Sequence, residues 1–273
     1  MATVSTSPPG AGGRTLGSLR KPLLGLLGVA AFLLAWQALP ATGAVNAAHF
    51  PGAFETLARL AGEVRDLEFW RNVGRTLTAW AIGLALATAL ALVLGTIIGM
   101  VPFLRRATHT VVEFLRPIPS VALIPLAVLS YGISLQAALV IVVFASFWQV
   151  FVQVLYGVAD VDAVASDTAR SFGLPRSERL LRLVLPTALP YLMTGLRLAA
   201  SVALILAVTA EMTIGNPGLG NRLMLNYSNG DQVGVFAIVI VTGLIGLVVN
   251  LIFGVVERRA LFWHQSVRGE DPA

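Results

Sequence analysis

Residues 167–186 read DTARSFGLPRSERLLRLVLP and lie between two long apolar runs of the chain. Gly173 is a residue type favoured just after a helix, and Pro175 suits the first turn of the helix that follows. The pattern therefore predicts a short helix from about Val161 to Phe172, a break at Gly173, and a second helix that ends near Pro186. This unit is the longest polar connection among the later apolar runs.

The second helix of this unit is amphipathic, with an apolar side and a basic side. A basic amphipathic helix beside a membrane commonly lies on the lipid surface. That interpretation explains the arginines but not the helix–Gly–helix spacing. The apolar side carries Leu180, Leu181 and Val184, and the basic side carries Arg176, Arg179 and Arg182.

The composition places the chain in a membrane. Its 273 residues are 56% hydrophobic and only 12% charged, whereas soluble domains carry about 25% charged residues. Lys21 is the only lysine, so the sequence has no Gly-Lys-Ser/Thr phosphate loop and we expect no nucleotide or other cofactor bound by this chain. Cysteine is absent and the three histidines are far apart, so we expect no metal site.

Six apolar segments are long enough to cross a membrane, and in lipid each must be a helix. The sequence therefore predicts an all-α, polytopic membrane protein of about six transmembrane helices. The first segment also fits a signal peptide, but it is long for one, and we favour a retained span. The segments run from about Leu23 to Leu39, Thr76 to Val101, Thr108 to Leu129, Leu135 to Gly157, Leu189 to Met212 and Val233 to Val256.

The basic residues predict the orientation of these spans. They cluster in alternate connections, which the positive-inside rule places in the cytoplasm together with both termini. Because they mark the ends of apolar segments and form no exposed basic face, we expect no nucleic-acid partner. The cytoplasmic set is Arg14, Arg20, Lys21, Arg105, Arg106, Arg170, Arg176, Arg179, Arg182, Arg258, Arg259 and Arg268.

The 167–186 unit resembles the signature of the permeases of binding-protein-dependent ABC importers. That family pattern is Glu-Ala-Ala, three residues, Gly, nine residues, Ile, one residue, Leu-Pro. The resemblance implies that the segment is a cytoplasmic coupling helix, between spans four and five, that docks on an ATPase. The residues carried over are Asp167, Thr168, Ala169, Arg170, Gly173, Leu183, Leu185 and Pro186, with Asp for Glu, Thr for Ala and Leu for Ile as departures.

Further stretches are similar to the nitrate/sulfonate/taurine-type permeases. These are Phe114–Pro119 with Ala122–Leu126, and Ala210–Met212 with Gly218–Gly220. The likeness covers about residues 70–268. It implies a chain divided into a disordered cytoplasmic tail (1–21), a first span with an outside connection (22–68), a permease core (69–260) and a cytoplasmic C-terminal tail (261–273).

The resemblance also implies partners in the plasma membrane of a bacterium. These are two ABC ATPase subunits, which hold ATP and Mg, an extracytoplasmic solute-binding protein, and a second permease chain, for which we expect an identical copy. The chain itself is then a transport subunit without catalytic residues. The substrate class that the resemblance implies is a small anion, such as a sulfonate, taurine or nitrate, or a pyrimidine.

Polar residues within the third span are candidates for the substrate path. Arg116 shares a helix face with Glu113 and is followed by Pro117 and Pro119, and broken helices at membrane depth tend to line cavities. The alternatives are that Arg116 reaches the inner surface with its long side chain, or forms a structural pair with Glu113.

Polar residues in spans four and five are further path candidates. Gln149 and Gln153 recur with Ser146 at helical spacing, although such residues commonly hydrogen-bond neighbouring helices. Arg197 either lines the path or extends toward the cytoplasm, and Glu211 either lines an outer gate, faces water or orders the loop after it.

Two other classes of protein compete with this assignment. An ATP-independent secondary transporter or channel fits the same number of spans, but it predicts central acidic residues for ion coupling. An intramembrane enzyme is disfavoured, because the sequence contains neither Gly-x-Ser-x-Gly nor His-Glu-x-x-His.

Overall fold

The computed structural model describes the backbone of residues 14–263 and the side chains of residues 23–263. Within this range the chain forms helices and no strands. The first six helices are α1 (Arg14–Ala41), α2 (Ala53–Glu63), α3 (Leu67–Met100), α4 (Pro102–Leu115), α5 (Ile124–Tyr131) and α6 (Leu135–Ala159), with a 3₁₀ turn at Ser120–Leu123. The others are α7 (Ala163–Ser171), α8 (Arg176–Arg179), α9 (Leu185–Ile214), α10 (Leu219–Ser228) and α11 (Gln232–Ala260), with a π-helical turn at Leu180–Val184.

Five helical stretches of the described residues are long and apolar enough to cross a membrane. They are Leu23–Ala41 in α1, all of α3, all of α6, the continuous stretch Arg176–Ile214, and all of α11. Helix α4 and the segment Ser120–Tyr131 are apolar enough together to make a sixth span, but they meet at an angle of 83°, which is the geometry of a broken span or of a re-entrant loop. The fold is therefore an all-α, multi-pass membrane protein, as the sequence predicts.

Helix α6 lies at the centre of the bundle and packs against α3 and α9. Small residues allow the close approach. A side chain added at Gly95 or Gly99 of α3 would press on Val154 or Val158 of α6, with a new Cβ 2.8 Å and 2.9 Å from their methyl groups. On α9, Ala199, Ala203 and Ala207 are buried against the same core. Close backbone packing through small residues is what holds helices together in lipid.

The first turns of two spans differ from the sequence prediction. Helix α3 begins at Leu67 rather than near Thr76, because the Asp66 carboxylate caps it by accepting a hydrogen bond from Glu68 N at 3.0 Å. Helix α1 begins at Arg14, inside the segment that the sequence assigns to a disordered tail. Residues 1–13 of that predicted tail and residues 264–273 of the predicted C-terminal tail lie outside the described residues.

The prediction that the helix after Pro175 ends near Pro186 is wrong. Helix α8 passes through the π turn directly into α9, and the whole stretch reaches Ile214 without a break. Pro186 has no N–H for the carbonyl one turn earlier, and the widened turn just before it accommodates the proline ring. The basic segment is therefore the first part of the fifth span and is not a separate surface helix.

The bundle has two distinct ends. One end, called here the basic end, carries Arg105, Arg106, the segment 160–184 and Arg258. The other, called here the α10 end, carries α2, α10 and the turn before α6, where Asn216 Nδ2 donates to Ser134 O at 2.6 Å. Arg59 on α2 and Asp231 before α11 also pair there at 2.9 Å.

Candidate functional site

Helix α7 projects from the basic end as a short, well-capped helix. Its first turn is fixed by Asp162, whose Oδ1 accepts a hydrogen bond from Val164 N at 2.7 Å. Asp, Ser, Thr and Asn are favoured at this position because they satisfy amide groups that the helix cannot. The local sequence therefore explains why the helix starts at Ala163 and not at Val161.

The C-terminus of α7 is a Schellman motif centred on Gly173. Gly173 N donates to Arg170 O at 2.9 Å, and Leu174 N donates to Ala169 O at 3.0 Å. This pair of bonds requires a left-handed residue, and Gly173 has φ of 70°. A side chain with a Cβ is disfavoured at such an angle, so the glycine fixes where α7 ends and where the chain turns back.

The exposed surface of α7 is part polar and part apolar. Asp167, Thr168 and Arg170 are exposed, and Asp167 Oδ1 lies 3.6 Å from Arg170 Nη1. Phe172 directly before the glycine is 80% exposed, and Val164 is 73% exposed. Phe172 was not predicted as a site residue from the sequence. A large aromatic residue directly before the helix-ending Gly173, in a segment that is otherwise polar, could have indicated it.

The structure brings α7 together with the start of the fifth span. Asp167, Arg170 and Leu183 all line a cavity of about 590 Å³ that also touches the junction of α3 and α4. Ala169 and Leu183 are half-buried, whereas Leu185 and Pro186 are exposed. The structure thus brings Asp167, Arg170 and Leu183 of the predicted coupling residues together at the basic end, whereas Pro186 lines a separate cavity.

The bent pair places Arg116, Pro117 and Pro119 at its corner, where all three are exposed. The pair between Glu113 and Arg116, which the sequence offered as one alternative, is not formed. Glu113 Oε2 instead lies 3.4 Å from His109 Nδ1, one turn earlier on α4. Helix α4 ends at Leu115, and Arg116 caps it with helical backbone angles and a bond from its N–H to Val112 O, at the start of the corner.

The polar residues of α6 point toward neighbouring helices. Ser146 is fully buried, and Gln149 and Gln153 are half-buried. Gln153 packs on α9 at Gly195, where an added Cβ would sit 3.0 Å from its own Cβ. Ser146 Oγ is buried without a hydrogen-bond partner among the described residues, and Gln153 meets α9 by packing, so both alternatives that the sequence left open for these residues stay predictions.

Arg197 joins α9 to α11. Its Nε donates to Asn250 Oδ1 at 2.8 Å, and its Nη1 lies 3.4 Å from Glu257 Oε2. Asn250 and Glu257 are in the half of α11 nearer the basic end. The Arg197 side chain therefore extends toward the basic end, which is the alternative to lining the path that the sequence analysis gave. Its guanidinium contacts Asn250 and Glu257 there.

Glu211 is buried at the α10 end of α9, with 2% of its surface exposed. Its Oε2 accepts hydrogen bonds from Thr76 Oγ1 at 2.8 Å and Gly220 N at 3.0 Å. It does not face open water. Of the three alternatives given for Glu211, the structure matches the one in which it orders the loop after α9. A single carboxylate oxygen links α9 to Thr76 on α3 and to Gly220 at the start of α10.

A row of hydroxyl groups along α9 is the polar feature that sequence reasoning missed. The four side chains are seven, eight and four residues apart, and each donates to the carbonyl four residues earlier, which leaves oxygen lone pairs free. Exposed positions on α3 and α11 are apolar by contrast, such as Leu86, Leu90, Leu247 and Leu251. The row consists of Thr194, Ser201, Thr209 and Thr213, with Arg197 and Ile205 between them.

These features define a multi-pass membrane protein with a capped, projecting helix at one end. Residues 87–261 match the family described as the binding-protein-dependent transport system inner membrane component. The chain belongs to this family, and it is therefore a permease-type transport subunit of the membrane.

Curated relatives and solved structures agree with that assignment. The chain is 30% identical to the taurine transport system permease protein TauC of Escherichia coli K12, over 78% of each chain. It is 28% identical to the nitrate import permease protein NrtB of Leptolyngbya laminosa, over 71% of this chain and 69% of that one. The MetNI methionine ABC transporter in an inward-facing conformation shares the fold, with a TM-score of 0.62, 18% identity and coverage of 71% of this chain and 96% of its own.

Proposed function

We propose that this chain is the membrane subunit of an ATP-driven importer of a small anion, and that α7 couples it to the ATPase. The observation that carries the proposal is the projecting α7 helix with its Gly173 cap, at the position of the family signature. The names of two relatives, a nitrate permease and a taurine permease, support a small substrate that carries an anionic group.

Exposure and charge at α7 support a docking role. Phe172 and Val164 expose large apolar surface at the tip of a polar segment. Such side chains act as anchors when a partner supplies an apolar groove. The ion pair between Asp167 and Arg170 is exposed and contributes little to stability, so its charges are available to a partner.

The proposed assembly contains two copies of this chain, two ATPase subunits and an extracytoplasmic solute-binding protein. ATP and Mg are held by the ATPase subunits. The basic end faces the cytoplasm with both termini, since Lys and Arg prefer that side, and the α10 end faces the binding protein. Closure of the ATPases on ATP would draw the two α7 helices together, and the bundle would switch between two rigid packings.

The row of hydroxyl groups on α9 is the proposed wall of the translocation path, in place of the α6 glutamines. Each hydroxyl already donates to the helix backbone, but its oxygen keeps lone pairs that accept hydrogen bonds from water or from a hydrated solute. In a two-copy assembly this row would face a shared pathway. Arg116, Pro117 and Pro119, at the exposed corner of the bent span, remain candidates for the same path.

The test is affinity purification of the chain from its native membrane, with identification of the proteins that accompany it. We expect a stoichiometric subunit that carries a Gly-x-x-x-x-Gly-Lys-Ser/Thr loop. Gly173→Pro should abolish that association, because proline cannot adopt positive φ and removes the bond to Arg170 O. Gly43→Pro is the matched control, since Gly43 also has positive φ (71°) after a helix but lies next to α1.

The outcomes separate the proposal from a secondary transporter. Loss of the ATPase in Gly173→Pro with retention in Gly43→Pro supports coupling through α7. Purification without an ATPase would overturn the proposal and favour ATP-independent transport. Equal retention in both variants would show that the ATPase binds elsewhere.

A further inference from the structure

The cavity of about 590 Å³ at the basic end lies between α7, the junction of α3 and α4, the end of α6 and the start of the fifth span. Three arginines and one aspartate line it, which leaves an excess of two positive charges. The aspartate, Asp167, already lies 3.6 Å from one of the arginines, Arg170. The cavity therefore offers its remaining positive charge to a ligand. The other two arginines are Arg176 and Arg179.

Arg176 and Arg179 lack an ionic partner among the described residues, where no carboxylate oxygen lies within 4 Å of either guanidinium. Arg176 is exposed, and Arg179 is half-buried. Removing part of a charged group from water without a partner is unfavourable. The two residues are three positions apart on a helix, so they share a face and repel each other. An anionic group bound between them would relieve both costs.

The N-terminus of α4 adds to the positive character of the same cavity. Val101 and Pro102 line the cavity, and Val101, at the N-cap position, has no side-chain acceptor for the first amides of α4. Unsatisfied amides and the dipole at the start of a helix favour a negatively charged group nearby. The ligand chemistry that suits the arginines and this helix start is a phosphate group, which accepts several charge-assisted hydrogen bonds at once.

The remaining wall of the cavity is apolar and continues into the surface of a membrane span. Met100 lines the cavity at the end of α3 and is 41% exposed. Exposed apolar side chains at intervals of three or four residues lead up to it along one face of α3. A soluble anion would leave this surface uncovered, whereas a phospholipid carries its phosphate next to its acyl chains. The α3 stripe consists of Leu86, Leu90, Val93, Ile97 and Met100.

We propose that this cavity binds the head group of an anionic phospholipid of the inner leaflet, with its phosphate on Arg176 and Arg179 and an acyl chain along the α3 stripe. Basic pockets between spans on the cytoplasmic side suit such head groups. The inference rests on the proposed function for the orientation of the basic end. A bound lipid would fill the space between α7 and the ends of α3 and α6, and it would hold the coupling helix in position.

The experiment is native mass spectrometry of the full-length chain, purified with the subunits that accompany it, to measure lipid binding. The probes are dioleoylphosphatidylglycerol and dioleoylphosphatidylcholine, which share acyl chains and a phosphate but differ in net charge. We expect phosphatidylglycerol to bind about tenfold more tightly, because its head group has no ammonium that would meet the arginines. Arg176→Gln and Arg179→Gln should each reduce this preference about fivefold or more.

Arg182→Gln is the matched control. It removes the same charge from the same stretch, but Arg182 does not line the cavity and pairs with Glu178 at 3.6 Å. We expect this variant to keep the preference of the wild type for phosphatidylglycerol. An equal loss in Arg182→Gln, or equal binding of the two lipids by the wild type, would overturn the site, because only general surface charge would then be at work.

Two further results would overturn the lipid assignment by identifying another occupant. Inorganic phosphate, added at constant ionic strength, should leave the lipid preference unchanged, and displacement of phosphatidylglycerol by it would assign the cavity to a soluble anion. Weaker retention of the ATPase by Arg179→Gln, with an unchanged lipid preference, would assign the cavity to the ATPase interface. None of these results bears against the import function, which fails only if no ATPase accompanies the chain.

Discussion

The hydroxyl of Thr76 donates a hydrogen bond of 2.8 Å to Glu211 Oε2, and both residues are buried. The same hydroxyl oxygen accepts a hydrogen bond of 2.9 Å from Leu219 N. Thr76 therefore bridges α3, α9 and the first residue of α10, three elements that are far apart in sequence. The loop after α9 ends at Leu219, so the Thr76 hydroxyl is one of the groups that fix the position of this loop.

Thr76→Val should destabilise the protein by about 1–3 kcal/mol, because it leaves the Leu219 amide and the Glu211 carboxylate with one partner fewer in a buried site. Valine has nearly the same shape, so packing stays constant. Thermal unfolding of the purified protein measures the effect. Thr76→Ser keeps the hydroxyl and should retain most of the stability; equal melting temperatures for the wild type and Thr76→Val would show that the bridge is unimportant.

Gly220→Ala should be strongly destabilising. A Cβ at Gly220 would overlap the carbonyl oxygen of Val208 and come within 2.9 Å of Met212 N, so backbone atoms of α9 would have to move. Overpacking of this kind costs about 1–3 kcal/mol. Gly62→Ala on α2 is the control, since a Cβ there meets no atom within 4 Å. A melting temperature for Gly220→Ala as high as that of Gly62→Ala would contradict the close approach.

The sequence predicted the long spans, because a long apolar run in lipid can only be a helix. It also predicted the break at Gly173, because a glycine followed two residues later by a proline commonly separates two helices. The sequence did not predict that the basic segment after Pro175 continues into the fifth span. A proline such as Pro186 is compatible both with the end of a helix and with a widened turn inside a longer helix. Glu211 was harder still. Its carboxylate is hydrogen-bonded to Thr76, which lies 135 residues earlier in the chain. A contact between residues so far apart cannot be predicted from the sequence around either of them.

The α10 end contains a charge cluster that should make stability sensitive to acid. Arg222 on α10 pairs with the buried Glu63 and, at 3.1 Å, with Asp66. The hydrogen bond from Glu68 N, followed by the Arg222 side chain, holds the pKa of Asp66 below its ordinary value of 3.8. A carboxyl with a lowered pKa stabilises the fold above its unfolded pKa and loses that contribution as the pH falls through the folded one.

Asp66→Asn should therefore lower the melting temperature slightly at neutral pH and show a flatter decline than the wild type below about pH 4. Asparagine also caps helices, so α3 keeps its first turn. The comparison is a series of melting curves of both proteins between about pH 6 and about pH 3. Parallel curves would mean that Asp66 titrates alike in the folded and unfolded chains.

Phe172→Ser should weaken the association with the ATPase while leaving the fold of the chain intact. The ring is almost fully exposed, so its loss creates no cavity in this chain. Loss of one apolar anchor in an interface typically costs about 2 kcal/mol or more. The measurement is the amount of ATPase retained during affinity purification, with Phe54→Ser on α2 as the control, because Phe54 is also exposed but lies at the α10 end. Equal retention by both variants would place the docking surface away from the tip of α7.

The row of hydroxyl groups on α9 can be tested directly because the chain contains no cysteine. Ser201 and Leu247 are both exposed near the middle of their spans, on α9 and α11. If the α9 row lines a hydrated path, Ser201→Cys should react with a charged, water-soluble methanethiosulfonate reagent in membranes, since thiol reactivity requires the thiolate and therefore water. Leu247→Cys, on a wholly apolar face, should stay unlabelled until the protein is denatured. Protection of Ser201→Cys until denaturation would show that α9 faces lipid or another helix and would remove the row from the path. Equal labelling of the two cysteines would show that the α9 row is no more hydrated than an apolar face, and it would also contradict the assignment.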